Sequence, residues 1–256
     1  VAVARGAFGH ISRAIDAHTS RHVALKVFER ARTDFARFER EAEVLATVTH
    51  PNVVAYVDHG LTDGGAPYLA MEWLEGIDLA GRLARGLLEE REALGVARLA
   101  AQGLGAVHAL GIVHRDVKPT NLFLVEGRTD DVRVIDFGVA RAPRSNLTSE
   151  GTILGTPAYM APEQAQGADL SPRADVFALG CVLFECLVGE PPHASRDATE
   201  WMRKLYAPAP KLSERRAGAS KETEELVAGM LATDPAARPA DGDEVARWIQ
   251  RIVEGA

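Results

Sequence analysis

The spacing of apolar residues changes character along the chain. Residues 1–5, 10–15 and 22–28 are short runs with near-alternation of apolar and polar positions. They predict three antiparallel strands joined by turns at Gly6–Gly9 and around residues 16–21. Spacings of three and four then take over in residues 33–48. Phe35, Phe38, Ala42, Leu45 and Val48 mark one face of a helix, Asp34 suits its positive end, and His50-Pro51-Asn52 stops it. Two more strands are predicted at residues 53–58 and 68–73, around a turn at Asp63-Gly64-Gly65. From Gly76 onward the pattern is helical. Residues 79–85 form a short helix and residues 91–110 a long one. In the long one Leu94, Ala97, Ala101, Leu104, Ala106 and Val107 face a core, and Gly111 ends it. Residues 172–188 are apolar on almost every side and predict a buried central helix, with further helices at 196–206, 221–232 and 241–253.

Two stretches break this rhythm. Residues 139–160 show no period, and an irregular segment of that length is usually functional or disordered. The other stretch is residues 114–138. Here two short apolar runs, residues 121–125 and 132–135, flank a polar turn at 126–131, which predicts a hairpin. Such a hairpin brings Asn121, at its start, close to Asp136, just past its end. An amide oxygen and a carboxylate converging in this way make a hard-oxygen site suited to Mg2+. Asp116 stands beside that site, placed to accept a proton, and Gly138 follows where a backbone needs conformational freedom.

Composition narrows the picture slightly. A chain of 256 residues is long enough for a sizeable core in one domain or two lobes. A net charge of -7 without any Lys/Arg run argues against a nucleic-acid surface. Cys181 and Cys186 both lie in the apolar run at 172–188, so reduced, buried thiols and a cytoplasmic location are expected. No uncharged apolar stretch approaches the ~18 residues of a membrane helix, and no signal-peptide pattern is present. Without an initiator Met, the chain is expected to be part of a longer protein whose anchor, if it has one, lies elsewhere.

His114-Arg115-Asp116-Val117-Lys118-Pro119-Thr120-Asn121, followed by Asp136-Phe137-Gly138, resembles the catalytic loop and metal-binding triplet of protein kinases. Val23-Ala24-Leu25-Lys26 resembles the kinase strand whose lysine holds the α- and β-phosphates. Gly6 and Gly9 match the glycine loop, although Ala4 stands where its first glycine is expected. Met71-Glu72-Trp73-Leu74-Glu75-Gly76 is similar to the segment between kinase lobes, and Ala161-Pro162-Glu163 to the triplet closing the activation segment. The form of residues 155–164, Gly155-Thr156-Pro157-Ala158-Tyr159-Met160-Ala161-Pro162-Glu163-Gln164, is most similar to bacterial, eukaryotic-type Ser/Thr kinases.

The resemblance covers nearly the whole chain. It implies an α+β, two-lobed protein-kinase fold: a small antiparallel-sheet N-lobe plus one helix at residues 1–74, and a larger, mainly helical C-lobe at 75–256. It implies transfer of the ATP γ-phosphate to Ser/Thr hydroxyls of proteins, with ATP and Mg2+ (or Mn2+) bound. Asp116 would orient the substrate hydroxyl and accept its proton. Lys118 would stabilise the γ-phosphate, and Lys26, paired with Glu41, would hold the other phosphates. Glu39 and Glu43 are the structural alternatives to Glu41. Asn121 and Asp136 are the implied metal ligands. Nucleotide contacts fall to Gly6, Phe8, Gly9, Ile11, Ala24, Met71, Glu72, Leu74, Asp78, Phe123 and Asp136. Met71 is equally suited to core packing.

Further matches are structural. Asp175 matches the aspartate that binds the catalytic-loop backbone, Arg238 the arginine that pairs with Glu163, and Thr156 the threonine that contacts the catalytic Asp and Lys. Thr148 is the first phosphosite candidate, ahead of Thr152 and Ser149, because Arg115 and Arg141 can receive a phosphate. A transient homodimer for trans-autophosphorylation is expected. Thr120 at the variable loop position predicts no strong preference for basic substrates. A pseudokinase and a small-molecule phosphotransferase are the competing classes. The presence of Lys26, Asp116 and Asp136 opposes the first, and the Ala161-Pro162-Glu163 segment opposes the second.

Overall fold

The computed structural model describes residues 2–6 (backbone only), 9–29, 35–137, 157–195, 201–202 and 205–255. Five antiparallel strands form the first sheet: β1 (Ala2–Gly6), β2 (Gly9–Ile15), β3 (His22–Phe28), β4 (Tyr56–Leu61) and β5 (Pro67–Glu72). Their order is β1-β2-β3-β5-β4. At the first turn, Gly9 has a φ of 151° and no room for a side chain, since a Cβ there would lie 2.0 Å from the carbonyl oxygen of Val27. Only glycine lets β2 start this close to β3. The Asp16 turn is held by its own side chain, which accepts from the His18 N–H and the Thr19 hydroxyl.

Helix α1 (Phe35–Leu45) packs its apolar face on this sheet, with Phe38 fully buried and edge-on to Phe28. The chain then crosses to the second lobe before forming β4. Val53 bridges Val134 in parallel, and the Asn52 side chain donates to Val132 O at 2.9 Å. This detour explains why β4 starts at Tyr56 rather than at residue 53 as the alternation predicts.

The larger lobe is built on two helices, α3 (Glu90–His108) and α5 (Pro172–Val188). Helix α5 begins with proline in its first turn and ends at Gly189 in the left-handed conformation. Nearly all of its residues from Ala174 to Leu187 are buried, as an apolar pattern without a polar face requires. Around this core lie α2 (Leu79–Leu83), α4 (Pro162–Ala165), α6 (Leu212–Arg215), α7 (Lys221–Met230) and α8 (Gly242–Glu254), with α8 packed along α3. Three short strands, β6 (Gly76–Asp78), β7 (Leu122–Val125) and β8 (Val132–Val134), form a second sheet in the order β6-β7-β8. The two-lobed fold expected from the sequence is the fold observed. The predicted helix at 196–206 falls largely outside the described residues. No described helix is long and apolar enough to cross a membrane.

Candidate active site

The β7–β8 hairpin and the loop before it carry the candidate site. Pro119 opens a single 3-10 turn, Pro119–Asn121, and the hairpin follows directly. Asn121 O accepts from the Ile135 N–H at 3.0 Å, so the two ends of the hairpin are tied together. This places Asn121 and Asp136 at one mouth, as the apolar spacing predicts. The turn opposite uses Glu126 and Gly127 at φ 53° and 75°.

Hydrogen bonds link the polar residues of this mouth. Lys118 Nζ donates to Asp116 Oδ2 at 2.8 Å. The Asn121 amide nitrogen donates to Asp116 O at 2.7 Å and to Asp116 Oδ2 at 3.1 Å. Both bonds use the NH2 group, which leaves Oδ1 as the acceptor available to a cation. Lys26, from β3, makes an ion pair with Asp136 Oδ1. The loop before the hairpin, the hairpin's start and the residue after its end therefore lie together, and β3 reaches them from far away in sequence through Lys26. Phe137 is buried with its ring 4.8 Å from that of His114.

The loop is strained and firmly braced. Arg115 and Asp136 are non-glycine residues with left-handed backbones, at φ 68° and 63°. Such conformations cost ~1–3 kcal/mol each and persist only where the surroundings enforce them. For Arg115 the enforcing groups are visible. Its N–H donates to Asp175 Oδ1 at 2.8 Å, and its carbonyl accepts from the Gln164 side chain at 2.9 Å. Asp175 also accepts from the His114 N–H at 2.6 Å. A buried carboxylate needs such partners. The His114 ring donates from Nε2 to Ile135 O at 2.9 Å and accepts the Asp116 N–H at Nδ1, at 3.2 Å.

The pairing of Glu41 departs from expectation. The resemblance pairs it with Lys26, but Glu41 lies on the Arg115 guanidinium at 3.4 Å, while Lys26 takes Asp136. A half-buried ammonium must be neutralised by a carboxylate within reach, and here that carboxylate is Asp136. Glu39 is an exposed residue, as a solvated surface charge should be.

The remaining sequence-predicted residues that are described lie on the two sheets and the segment between them. Ala24 pairs with Met71 across β3 and β5, and Ile11 pairs with Lys26 across β2 and β3. Met71 is buried in the core. Glu72 clamps Ala55, accepting its N–H at the carboxylate and donating its own N–H to Ala55 O. Asp78 caps α2 by accepting the Gly81 N–H at 2.7 Å, a structural duty the sequence did not suggest. Phe123 is half-buried on β7 opposite Asp78, and Leu74 packs at the edge of the core. Gly6 pairs with Gly9 at the end of β1. Phe8, Gly138, Arg141, Thr148, Ser149, Thr152 and Thr156 lie outside the described residues.

Below the site, Glu163 receives Arg238 in a two-pronged ion pair at 2.7 and 2.9 Å, as the sequence match predicts. Two further partners went unrecognised in the sequence. Tyr159 donates to Glu185 Oε2 at 2.6 Å. Burial pushes both groups above their ordinary pKa, the tyrosine far out of its usual range. His108 touches Asp175 at 3.0 Å. Its position was a usable signal: it continues the buried face of α3 through Leu94, Ala97, Ala101 and Leu104.

The protein kinase domain family matches residues 2–250. Curated relatives include the serine/threonine-protein kinase PknB of Mycolicibacterium smegmatis, 35 % identical over 98 % of this chain, and pkn3 of Myxococcus xanthus, 33 % identical over 98 %. PknL of Mycobacterium tuberculosis is 36 % identical over 98 %. The chain spans 42 %, 48 % and 64 % of those three proteins. Among solved structures, Rad53 1-466 in complex with AMP-PNP matches with a TM-score of 0.81 and 26 % identity, over 97 % of this chain and 64 % of that one. This chain belongs to the protein kinase domain family.

Proposed function

We propose that this domain phosphorylates Ser/Thr hydroxyls of proteins from ATP using Lys26, Asp116, Lys118, Asn121 and Asp136. The observation carrying this reading is that two polar groups, Lys26–Asp136 and Lys118–Asp116–Asn121, are held at one mouth of the hairpin by the backbone bond from Ile135 to Asn121. Phosphoryl transfer asks the protein mainly for alignment and neutralisation of charge. Asp116 orients the substrate hydroxyl and accepts its proton. Lys118, already on the Asp116 carboxylate, supplies a positive charge to the γ-phosphate. Lys26 engages the α- and β-phosphates, with Glu41 as its orienting partner once Asp136 is released. Backbone N–H groups of the glycine segment, Gly6 and Gly9 among them, cover the phosphates, and Phe8 belongs to the same nucleotide-binding set. Ile11, Ala24, Met71, Leu74 and Phe123 enclose the adenine, the backbone of Glu72 and Leu74 meets its edge, and the second oxygen of Asp78 meets the ribose.

The donor set also fits a hard divalent cation. Asn121 Oδ1 and the Asp136 carboxylate are two oxygen ligands, and Mg2+ usually takes one or two protein oxygens and completes its shell with water and phosphate. Bound there, Mg2+ (or Mn2+) would screen the phosphate charge. We place the domain in the cytoplasm, and assign autophosphorylation to Thr148, then Thr152 and Ser149, through a transient homodimer.

Autophosphorylation with Mg-ATP, followed by phosphosite mapping, tests this. Wild type should label Thr148 or Thr152. Asp116→Asn and Asp136→Asn should each lose at least ~10³-fold in rate while keeping the fold. Near-full activity in either variant overturns the assignment.

A further inference from the structure

The hydrogen bonds around Asp175 do not end at the catalytic loop. His108, the last residue of α3, is buried with it, and their side chains are 2 % and 1 % exposed. His108 Nε2 lies 3.0 Å from Asp175 Oδ2, the same oxygen that accepts the His114 N–H. On its other side, His108 Nδ1 accepts the Gly242 N–H at 3.2 Å, at the first residue of α8. The two bonds fix the tautomer. Nδ1 must present a lone pair to Gly242, so the proton sits on Nε2 and is donated to Asp175.

The approach of α8 to this imidazole is built in. A Cβ on Gly242 would lie 2.2 Å from Ala101 O and 2.5 Å from the Gly105 nitrogen, so only glycine brings the start of α8 against α3 here. The chain of contacts is therefore continuous: Gly242 N–H to His108, His108 to Asp175, and Asp175 to the N–H groups of His114 and Arg115. Arg115 is the strained residue that immediately precedes Asp116. Asp175 supplies the bond that holds this strain, and His108 fixes the rotation of the Asp175 carboxylate.

We infer that His108 is a positioning residue for phosphoryl transfer, coupling the start of α8 to the placement of Asp116 through Asp175. The inference rests on the assignment of Asp116 above. It predicts that the bond to Asp175, rather than the bulk of the ring, matters for rate. Glutamine places an amide N–H donor near the Nε2 position, and asparagine an amide oxygen acceptor near the Nδ1 position. His108→Gln keeps the bond toward Asp175 and gives up the one toward Gly242. His108→Asn does the reverse, and His108→Phe gives up both while filling the space.

The experiment is steady-state phosphorylation of a protein substrate, with the rate expressed per folded molecule and unfolding midpoints measured alongside. The expected order in kcat is wild type, then Gln within about threefold, then Asn and Phe lower by ~10–100-fold, with the KM for ATP little changed, because a sub-ångström shift of an aligned group costs rate rather than binding. If Gln and Asn lose kcat equally, or if all three keep the wild-type kcat and lose only stability, His108 is structural and the inference falls. Should the Phe variant not fold, the Gln and Asn pair still decides. An inactive wild type would instead overturn the assignment of Asp116, so the two failures are distinguishable.

Discussion

The floor and the roof of the site are held by different kinds of interaction. On the floor, Arg238 is completely buried and grips Glu163 with both prongs, at 2.7 and 2.9 Å. It also donates to the carbonyls of Ala232, Arg173 and Thr233 and lies 4.8 Å over the Phe177 ring. On the roof, Arg115 and Glu41 meet by one contact at 3.4 Å, with 24 % and 22 % of their side chains exposed. A fully engaged buried pair cannot exchange partners without leaving a charge stranded. A single long contact in reach of water can. The floor is therefore built to fix geometry, and on the proposed mechanism the roof re-pairs.

The largest expected effect comes from breaking the floor. Arg238→Ala leaves the Glu163 carboxylate and several carbonyls unpaired, which should cost ~3–5 kcal/mol of stability. Urea unfolding of the domain checks this. Arg238→Lys restores the charge but neither the fork nor the stacking on Phe177, so it should recover only part of the loss. A loss below ~1 kcal/mol in the alanine variant would show that the floor is no firmer than a surface pair.

The roof should behave in the opposite way. Glu41→Gln removes an ion pair that contributes less than ~1 kcal/mol in its partly exposed setting. Its effect on rate should be far larger, ~10²-fold in kcat, because orientation of Lys26 on the phosphates is lost. Thermal unfolding and initial rates, measured on the same preparation, separate the two. A variant with wild-type kcat would mean that Glu41 serves Arg115 alone and that the roof does not re-pair.

How much of this was legible follows the same division. Helix α5 could be read at both ends, because Pro172, a largely apolar run and Gly189 each act locally. The hairpin from Leu122 to Val134 was readable for a similar reason, since two β-rich runs flank a polar turn. The Arg238–Glu163 pair was reached by resemblance and matches because its partners are fixed by packing. Strand β6 was not legible: three residues carry no period, and Gly76 pairs with Val125 across the sheet through tertiary contact alone. The partner of Glu41 was also beyond the sequence. It depends on which cation the left-handed backbone of Arg115 brings near, and no spacing rule encodes that.

One residue of the floor departs from the rule, and the smallest predicted effect follows from it. Glu185 lies on α5, half-buried, and among the described residues its side-chain partner is the Tyr159 hydroxyl rather than a cation. Two effects oppose each other there. Burial disfavours the carboxylate charge, and the tyrosine O–H favours it, yet the net pKa is raised, so burial wins. A carboxyl whose pKa is higher in the folded state stabilises the fold fully below its unfolded pKa, and that contribution is lost as pH rises through the folded value. Glu185→Gln keeps an acceptor for Tyr159 and removes the charge. Its Tm should therefore exceed that of wild type at pH 8, by about 1–2 °C for a domain of this size. The difference should shrink as pH falls toward 4, where the carboxyl is protonated in both states. Differential scanning calorimetry of the two proteins across this range measures it. A lower Tm for Glu185→Gln at pH 8 would mean that the charged hydrogen bond from Tyr159 outweighs the burial cost, and that this corner of the floor is held as firmly as the rest.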